Sequence, residues 1–398
     1  MGMPLEGIRV VDLSSTIAGP FCTSLLGDMG ADVVKIEEPG KGDDSRHSLP
    51  AYNGMSCFFV AYNRNKRSLA VNLKDPRGLE ICLKLIRKAH ILVENLRQGV
   101  TIRLGLDYEK VLAENPEIIY CSISAFGRKG PLSHKVGYEA VMQAYGGMMS
   151  VTGFEDDPRP VRCGYSVTDI FTGLTAYGSI VTALYNRERT GKGTYIEATL
   201  LNTQVIAMGH YATSYMTTGE IPAKAGSGGP RLGLYQAFEA KDGYFVIGVN
   251  TERLWQRFCG ALGRRDLLSA PEFCSHIRRV ENCDKLVAIF SDLFRSKSVN
   301  EWVQLFDQAG IPCSRVNTLP QVLEDEQVRL YQMIVEATHP TLGTLKLLGT
   351  PLKLSGAEHT VKVPPPLLGE HTDEILSELG YDATERNLLK QEGVIASP

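Results

Sequence analysis

The sequence predicts an α/β protein in which a large parallel-sheet domain is joined to a smaller α+β domain. Three observations predict it. Short apolar runs alternate with helix-length segments through residues 8–200, the pattern of strands joined by crossover helices. Past residue 225 the texture changes to a glycine-rich stretch, an Asp-Gly hairpin and a series of helices. A chain of 398 residues is also long for one core, which points to two domains.

The first expected strand is residues 8–13 (IRVVDL), followed by a helix over 20–29 that ends at Gly30. Residues 31–37 (ADVVKIE) read as the second strand, and Gly40 and Gly42 mark the loop after it. Then come a strand at 69–73, a helix at 76–89, a strand at 91–94, a short helix at 107–115 and a strand at 118–123. A long apolar helix is expected over 169–188, with one more strand at 195–200. In the second domain, residues 238–247 form the hairpin, and helices follow at 252–262, 278–294 and 299–308. The tail from Pro340 through Pro364-Pro365-Pro366 reads as loop-rich until a helix near Thr372. These elements assign 1–200 and 330–398 to the large domain and 225–325 to the small one, with linkers at 201–224 and 326–330.

Composition narrows the function. A net charge of −3 gives no reason to expect nucleic acid or an anionic membrane as partner. The opening Met1-Gly2-Met3-Pro4-Leu5-Glu6-Gly7 has neither a basic nor an apolar region of signal-peptide type. No uncharged apolar run is long enough to span a bilayer. Nine cysteines without a Cys-x-x-Cys pair, and eight histidines without ligand spacing, read as buried thiols in a reducing, cytoplasmic compartment and no structural metal.

Familiar nucleotide motifs are missing. The loop Ser14-Ser15-Thr16-Ile17-Ala18-Gly19-Pro20 lacks the Gly-x-Gly-x-x-Gly of a dinucleotide site, although Glu37 stands where a ribose-binding acid would. There is no phosphate-binding P-loop and no Gly-x-Ser-x-Gly nucleophile elbow. Basic residues do gather near expected strand ends: Arg64, Lys66, Arg67, Arg97, Arg103, Arg128, Lys129 and Lys135. Singly they read as solvated charges; together they offer a place for a phosphorylated ligand at the carboxyl edge of a sheet. The stretch Gly226-Ser227-Gly228-Gly229 reads either as a plain linker or as a mobile loop presenting backbone N–H groups to an oxyanion.

Asp169 is the strongest single candidate for chemistry. Pro158 and Pro160 break the chain ahead of it, and a long apolar helix follows. A carboxylate at a helix start meets the positive end of the dipole and free N–H groups, and is expected to stay ionised near neutral pH. Such a carboxylate is a competent nucleophile toward an activated acyl group. The plainer alternative is that Asp169 or Thr168 only caps the helix.

Several stretches, in order and spacing, carry a resemblance. They are Val10-Val11-Asp12-Leu13 with Ala18-Gly19-Pro20, then Gly30-Ala31-Asp32-Val33-Val34-Lys35-Ile36-Glu37 with Gly40-Lys41-Gly42-Asp43. Asn63-Arg64-Asn65-Lys66-Arg67-Ser68, Val93-Glu94-Asn95, Gly127 with Gly130-Pro131, Gly191-Lys192-Gly193 and Leu367-Leu368-Gly369-Glu370-His371-Thr372 complete the set. Along nearly its whole length the chain resembles the class III, formyl-CoA transferase-like CoA-transferases. The resemblance implies a Rossmann-like large domain, an interlocked homodimer, and Asp169 as the nucleophile. It implies a route through an aspartyl mixed anhydride and an aspartyl-CoA thioester. A CoA thioester would be substrate, with no tightly bound cofactor, metal or ATP.

By the same resemblance Asn95, Leu96, Arg103 and Lys135 line the CoA site, and Tyr138 and Glu139 occupy the matching pocket position. Gly226, Gly228 and Gly229 take the place of the family's glycine loop. Arg231, immediately after it, reads either as a partner for a distal carboxylate or as a surface arginine. The chain departs from formyl-CoA:oxalate enzymes at Ser15, Ile17 and Glu38, where those carry histidine, glutamine and arginine. It is more similar to members that move CoA from succinyl-CoA to dicarboxylic acids. Two other functions compete. A racemase of the α-methylacyl-CoA type needs a second acid/base, but a tyrosine, Tyr138, stands where racemases place a histidine. A non-catalytic CoA-thioester binder would not need an intact Asp169.

Overall fold

The computed structural model describes residues 2–229, 232–357 and 360–398. It forms two compact units. The first comprises Met1–Gly146, Cys163–Gly209 and Glu326–Pro398, the second Gly147–Arg162 and His210–Asp325.

Among the described residues, the first unit holds a seven-stranded sheet in the order Ile395–Ala396, Arg67–Val71, Asp32–Glu37, Arg9–Asp12, Ile91–Glu94, Ile119–Ser124, Thr194–Thr199. All neighbours are parallel except the edge pair of Ile395–Ala396 with Arg67–Val71. Leaving that antiparallel edge aside, the order is that of a doubly wound sheet, which changes direction between Arg9–Asp12 and Ile91–Glu94. The apolar runs are buried on both faces, and successive residues point to opposite sides. Val10, Val33, Ile91, Val93, Ile119 and Cys121 pack with Cys22, Leu26, Ala176 and Ile180 from the helices Ala18–Asp28 and Val167–Thr190. Val11, Val34, Leu92 and Tyr120 face the other way, toward Ile81, Ile86, Val111, Ile375 and Leu389. One glycine sets the close crossing of the helices Ala18–Asp28 and Val167–Thr190: a Cβ on Gly173 would lie 2.7 Å from the Ala18 carbonyl oxygen. Gly173 is one turn beyond Asp169, so this approach brings the start of one helix beside the start of the other.

The basic cluster expected at the carboxyl edge divides, which corrects the sequence reading. Arg64 pairs with Asp28 at 2.6 Å, and Lys66 pairs with Asp12 at 3.1 Å, both buried. Burial lowers the Lys66 ammonium to about 8, against the pull of Asp12. Arg67 begins its strand and binds Asp32, Glu374 and Glu378 at the opposite, amino end. None of the three is a free cation.

Other departures are local. The long helix begins at Val167, two residues early, and runs to Thr190. It is long and apolar enough by length and composition to cross a membrane, as core helices can be; its buried residues, Ala176 and Ile180 among them, pack in the core on the sheet. Residues 201–224, read as linker, contain the helices Leu200–Ala207 and Gly209–Thr218. The tail forms a hairpin, Ile334–His339 with Gly343–Leu348, with Pro340 in the turn between the strands. In the second unit, Leu234–Ala240, Gly243–Val249 and Cys313–Arg315 form an antiparallel sheet. Its core is aromatic, with Phe238, Phe245, Trp255, Phe258, Phe290, Phe294, Trp302 and Phe306.

Candidate active site

A cleft of about 320 Å³ opens in the first unit where the sheet changes direction, the usual ligand position in such folds. Its floor is the loop after Arg9–Asp12. Asn95, just past the end of Ile91–Glu94, clamps that loop: its Oδ1 accepts from Ser15 N at 2.9 Å and its Nδ2 donates to Ser15 O at 2.8 Å. Thr16 adopts φ +74°, a strained state for a β-branched residue. It is held there by donation of its N–H to Asp43. Asp43 pairs with buried Lys35 at 2.9 Å, and Lys35 also donates to Ser14 O at 2.7 Å. Burial alone would raise the Asp43 carboxyl, yet Lys35 and Ser45 hold it well below the usual carboxylate range.

Asp169 lines the same cleft. It is the third residue of its helix, whose N-cap Ser166 makes no side-chain bond. Neither Asp169 nor Thr168 caps the helix. That task falls to Glu139, at the start of the helix Glu139–Tyr145. Its Oε1 accepts from Thr168 N at 3.1 Å and its Oε2 from Asp169 N at 2.9 Å. Gln143, one turn further on and fully buried, donates from Nε2 to Glu139 Oε1 at 2.6 Å. The Thr168 hydroxyl donates to Gln204 Oε1 at 2.7 Å.

This arrangement overturns the expected ionisation. The helix's positive end is already compensated by Glu139, and Asp169 is half-buried beside that second carboxylate. Burial, then the Glu139 charge, then direct hydrogen bonding to Glu139 push the Asp169 carboxyl up to about 7. Burial and the charges of Asp169 and Glu139 likewise raise the Tyr62 phenol, which keeps it a proton donor.

The other expected residues are placed as follows. Asn95, Leu96, Lys135 and Tyr138 line the cleft with Asp169. Glu139 lies beneath, buried. Arg103 sits exposed on the short helix Val100–Leu104 and is not among the lining residues. Gly226, Gly228 and Gly229 belong to the second unit. Their N–H groups already donate within it, to the carbonyls of Gly153, Ala225 and Tyr235. Arg231 lies outside the described residues.

Arg97, Arg128 and His134 also line the cleft. Arg128 is tied down by Glu94 at 2.8 Å, the Ser122 hydroxyl and the Leu96 carbonyl. Burial raises the Glu94 carboxyl despite that partner. Sequence reasoning passed over Thr16, Tyr62 and Gln143. Gln143 had a signal, since Glu139 and Gln143 are spaced i, i+4 on one helix face; Tyr62 had none, because only the tertiary fold brings it near Asp169.

A carboxyl raised by its surroundings, flanked by a like charge and set in a cleft edged with Arg97 and Lys135, is chemically compatible with acyl exchange on a phosphate-bearing carrier. Comparison with known proteins agrees. The sequence profile described as CoA-transferase family III matches residues 5–372. Succinyl-CoA:glutarate CoA-transferase of Mus musculus is 41% identical over 394 residues, 98% of this chain and 90% of that protein. The Homo sapiens protein of the same name is 38% identical with the same coverage. A crystal structure of a CAIB/BAIF family protein from Brucella suis superposes with a TM-score of 0.85 at 32% identity, covering 95% of this chain and 100% of that one. From the first strand to the start of the helix at Thr372, this chain belongs to CoA-transferase family III.

Proposed function

We propose that the protein moves CoA from succinyl-CoA to a dicarboxylic acid, with Asp169 as the covalent carrier. The observation that carries this reading is the Asp169 carboxyl, raised to about 7 within the cleft by burial and Glu139. The names of the mouse and human relatives support the choice of donor and acceptor class.

The Asp169 carboxylate attacks the donor thioester carbonyl, the C–S bond breaks, and CoA leaves as thiolate from a mixed anhydride. The thiolate then attacks Cγ of Asp169, breaking its C–O bond to succinate and leaving an aspartyl-CoA thioester. The acceptor carboxylate displaces CoA from that thioester, and the thiolate attacks the acceptor's carbonyl carbon. The acceptor leaves as its CoA thioester and Asp169 returns as carboxylate. The thioester is conserved throughout.

Glu139 supplies a reason for the covalent steps to run forward. Ionised Asp169 faces a second carboxylate, whereas the anhydride and the thioester carry no charge there. Acylation therefore relieves a repulsion present only in the free enzyme. A more basic carboxylate is also the better nucleophile. Arg97 and Lys135 along the cleft, and Arg103 on the adjacent helix, are proposed to meet the phosphates of CoA.

The test is exchange by mass spectrometry: succinyl-CoA is mixed with a panel of carboxylic acids, using the wild type and Asp169→Ala. New dicarboxylyl-CoA species made only by the wild type are expected. Exchange that persists in Asp169→Ala would sink the reading.

The proposed state is a cytoplasmic homodimer. Nine free cysteines suit a reducing compartment. In the first unit, Tyr185, Val205 and Ile206 leave large apolar surface exposed on the helices Val167–Thr190 and Leu200–Ala207. Sedimentation at the mass of two chains is expected, and a single-chain mass at assay concentrations would contradict it.

A further inference from the structure

We propose that Gln143 is a positioning residue that makes Glu139 the ionised member of the Glu139–Asp169 pair, and so decides which carboxyl carries their shared proton. The inference deepens the reading of Asp169 as nucleophile and rests on it.

Hydrogen-bond direction carries the argument. Gln143 is fully buried, and Cys163 N donates to its Oε1 at 2.8 Å. A backbone N–H can only donate, so the amide oxygen must face Cys163 and the amide nitrogen must face Glu139. That nitrogen donates to Glu139 Oε1 at 2.6 Å, and Thr168 N donates to the same oxygen at 3.1 Å. Both lone pairs of Oε1 are thereby used. Oε2 accepts from Asp169 N at 2.9 Å, leaving one lone pair for the neighbouring Asp169 carboxyl. Three fixed donors favour the carboxylate form of Glu139. A proton entering the pair therefore resides on Asp169, which then donates to Glu139.

The contact has a second end. Cys163 begins the segment that leads into the Asp169 helix, so the same side chain ties both carboxyl-bearing elements together. The other titratable or charged groups around the pair are Tyr62 from the helix Cys57–Tyr62, Cys163 beside Gln143, and Asp44, Arg97, Arg128, His134, Lys135 and Tyr138 along the cleft. The helix Leu200–Ala207 contributes only the neutral Gln204.

A proton moved to Glu139 would leave Asp169 ionised but the pair still neutralised by one charge, so the relief of repulsion on acylation would be lost. Gln143 thus matters for rate without touching substrate.

The test titrates the two carboxyls directly by carbon-13 NMR of the side chains, assigned with Asp169→Asn and Glu139→Gln. In the wild type, the step near pH 7 should appear at Asp169. In Gln143→Leu, loss of a hydrogen bond to a charged group should move a share of that step onto Glu139 and raise the pair's midpoint by about one unit. Gln143→Glu keeps an acceptor for Cys163 N but removes the donor, and should raise the midpoint further; it serves if the leucine variant does not fold. The acid limb of kcat/KM should move with the NMR midpoint while KM for the acceptor acid holds. Titration at both carboxyls unchanged in either folded variant would overturn the proposal. Because NMR reads the proton without turnover, failure of Asp169 as nucleophile would show separately, as exchange surviving in Asp169→Asn.

Discussion

Asp169→Asn is expected to abolish CoA exchange, by at least ~10³-fold, while making the folded protein more stable at alkaline pH. The two effects share one cause. The amide fills the same space but has no anionic oxygen to attack a thioester. It also has no charge to place beside Glu139. The folded-state carboxyl lies at about 7, above the ordinary aspartate value of 3.8, so the folded protein binds this proton more tightly than the unfolded chain does. The stability this gives is full below the unfolded value and is lost as pH rises through the folded one. A rise from 3.8 to about 7 is worth at most on the order of 4 kcal/mol. Chemical denaturation of both proteins should therefore coincide near pH 4 and diverge in favour of Asp169→Asn by about pH 8. A variant less stable than wild type at the higher pH would mean that Asp169 is held as a favourable anion.

Glu139→Gln is expected to lower the rate by roughly 10- to 100-fold and to move the acid limb of the pH profile downward by at least about one unit. Removing the like charge returns Asp169 toward the ordinary carboxyl range, so more of it is ionised at neutral pH. The rate falls nonetheless, because the carboxylate is less basic and its acylation no longer relieves a repulsion. The new amide also fits badly. Thr168 N, Asp169 N and Gln143 Nε2 are all donors, and a glutamine must turn its NH₂ toward one of them. Initial rates from acid to alkaline pH separate these effects, since a change in basicity shifts the midpoint and a change in drive alters the plateau. An unchanged midpoint would show that Glu139 does not set the Asp169 carboxyl.

The parts of this fold that were legible in sequence are those governed by local pattern. Residues 8–13 and 118–123 are apolar on both faces, as a buried parallel strand requires, and the alternation of Val10 and Val11 between two cores follows from the pleat. The parts that were not legible depend on partners distant in the chain. Arg64 and Lys66 looked like surface cations because Asp28 and Asp12, which bury them, lie dozens of residues away. The hairpin at Ile334–Leu348 escaped because its strands are short and Pro340 stands between them.

The site divides in the same way. Asp169, which lines the cleft, stood out as a candidate from its place after a proline-broken turn and before an apolar helix. Its protonation was not, because the group that controls it, Glu139, is thirty positions earlier and replaces the expected cap. The helix dipole argument was sound for an isolated helix and failed once another carboxylate occupied its positive end. Arg103, which the resemblance groups with Lys135, lies outside the cleft lining, a difference of side-chain placement that spacing does not encode.

The most direct measurement is to trap the covalent intermediate. The protein would be mixed with succinyl-CoA in the absence of an acceptor, quenched in acid, digested and mapped by mass spectrometry. A CoA adduct confined to the peptide carrying Asp169, absent in Asp169→Asn and converted to a hydroxamate by hydroxylamine, is the predicted result. Exchange proceeding at full rate with no adduct on Asp169, or with the adduct on another side chain, would contradict the assignment of Asp169 as the carrier.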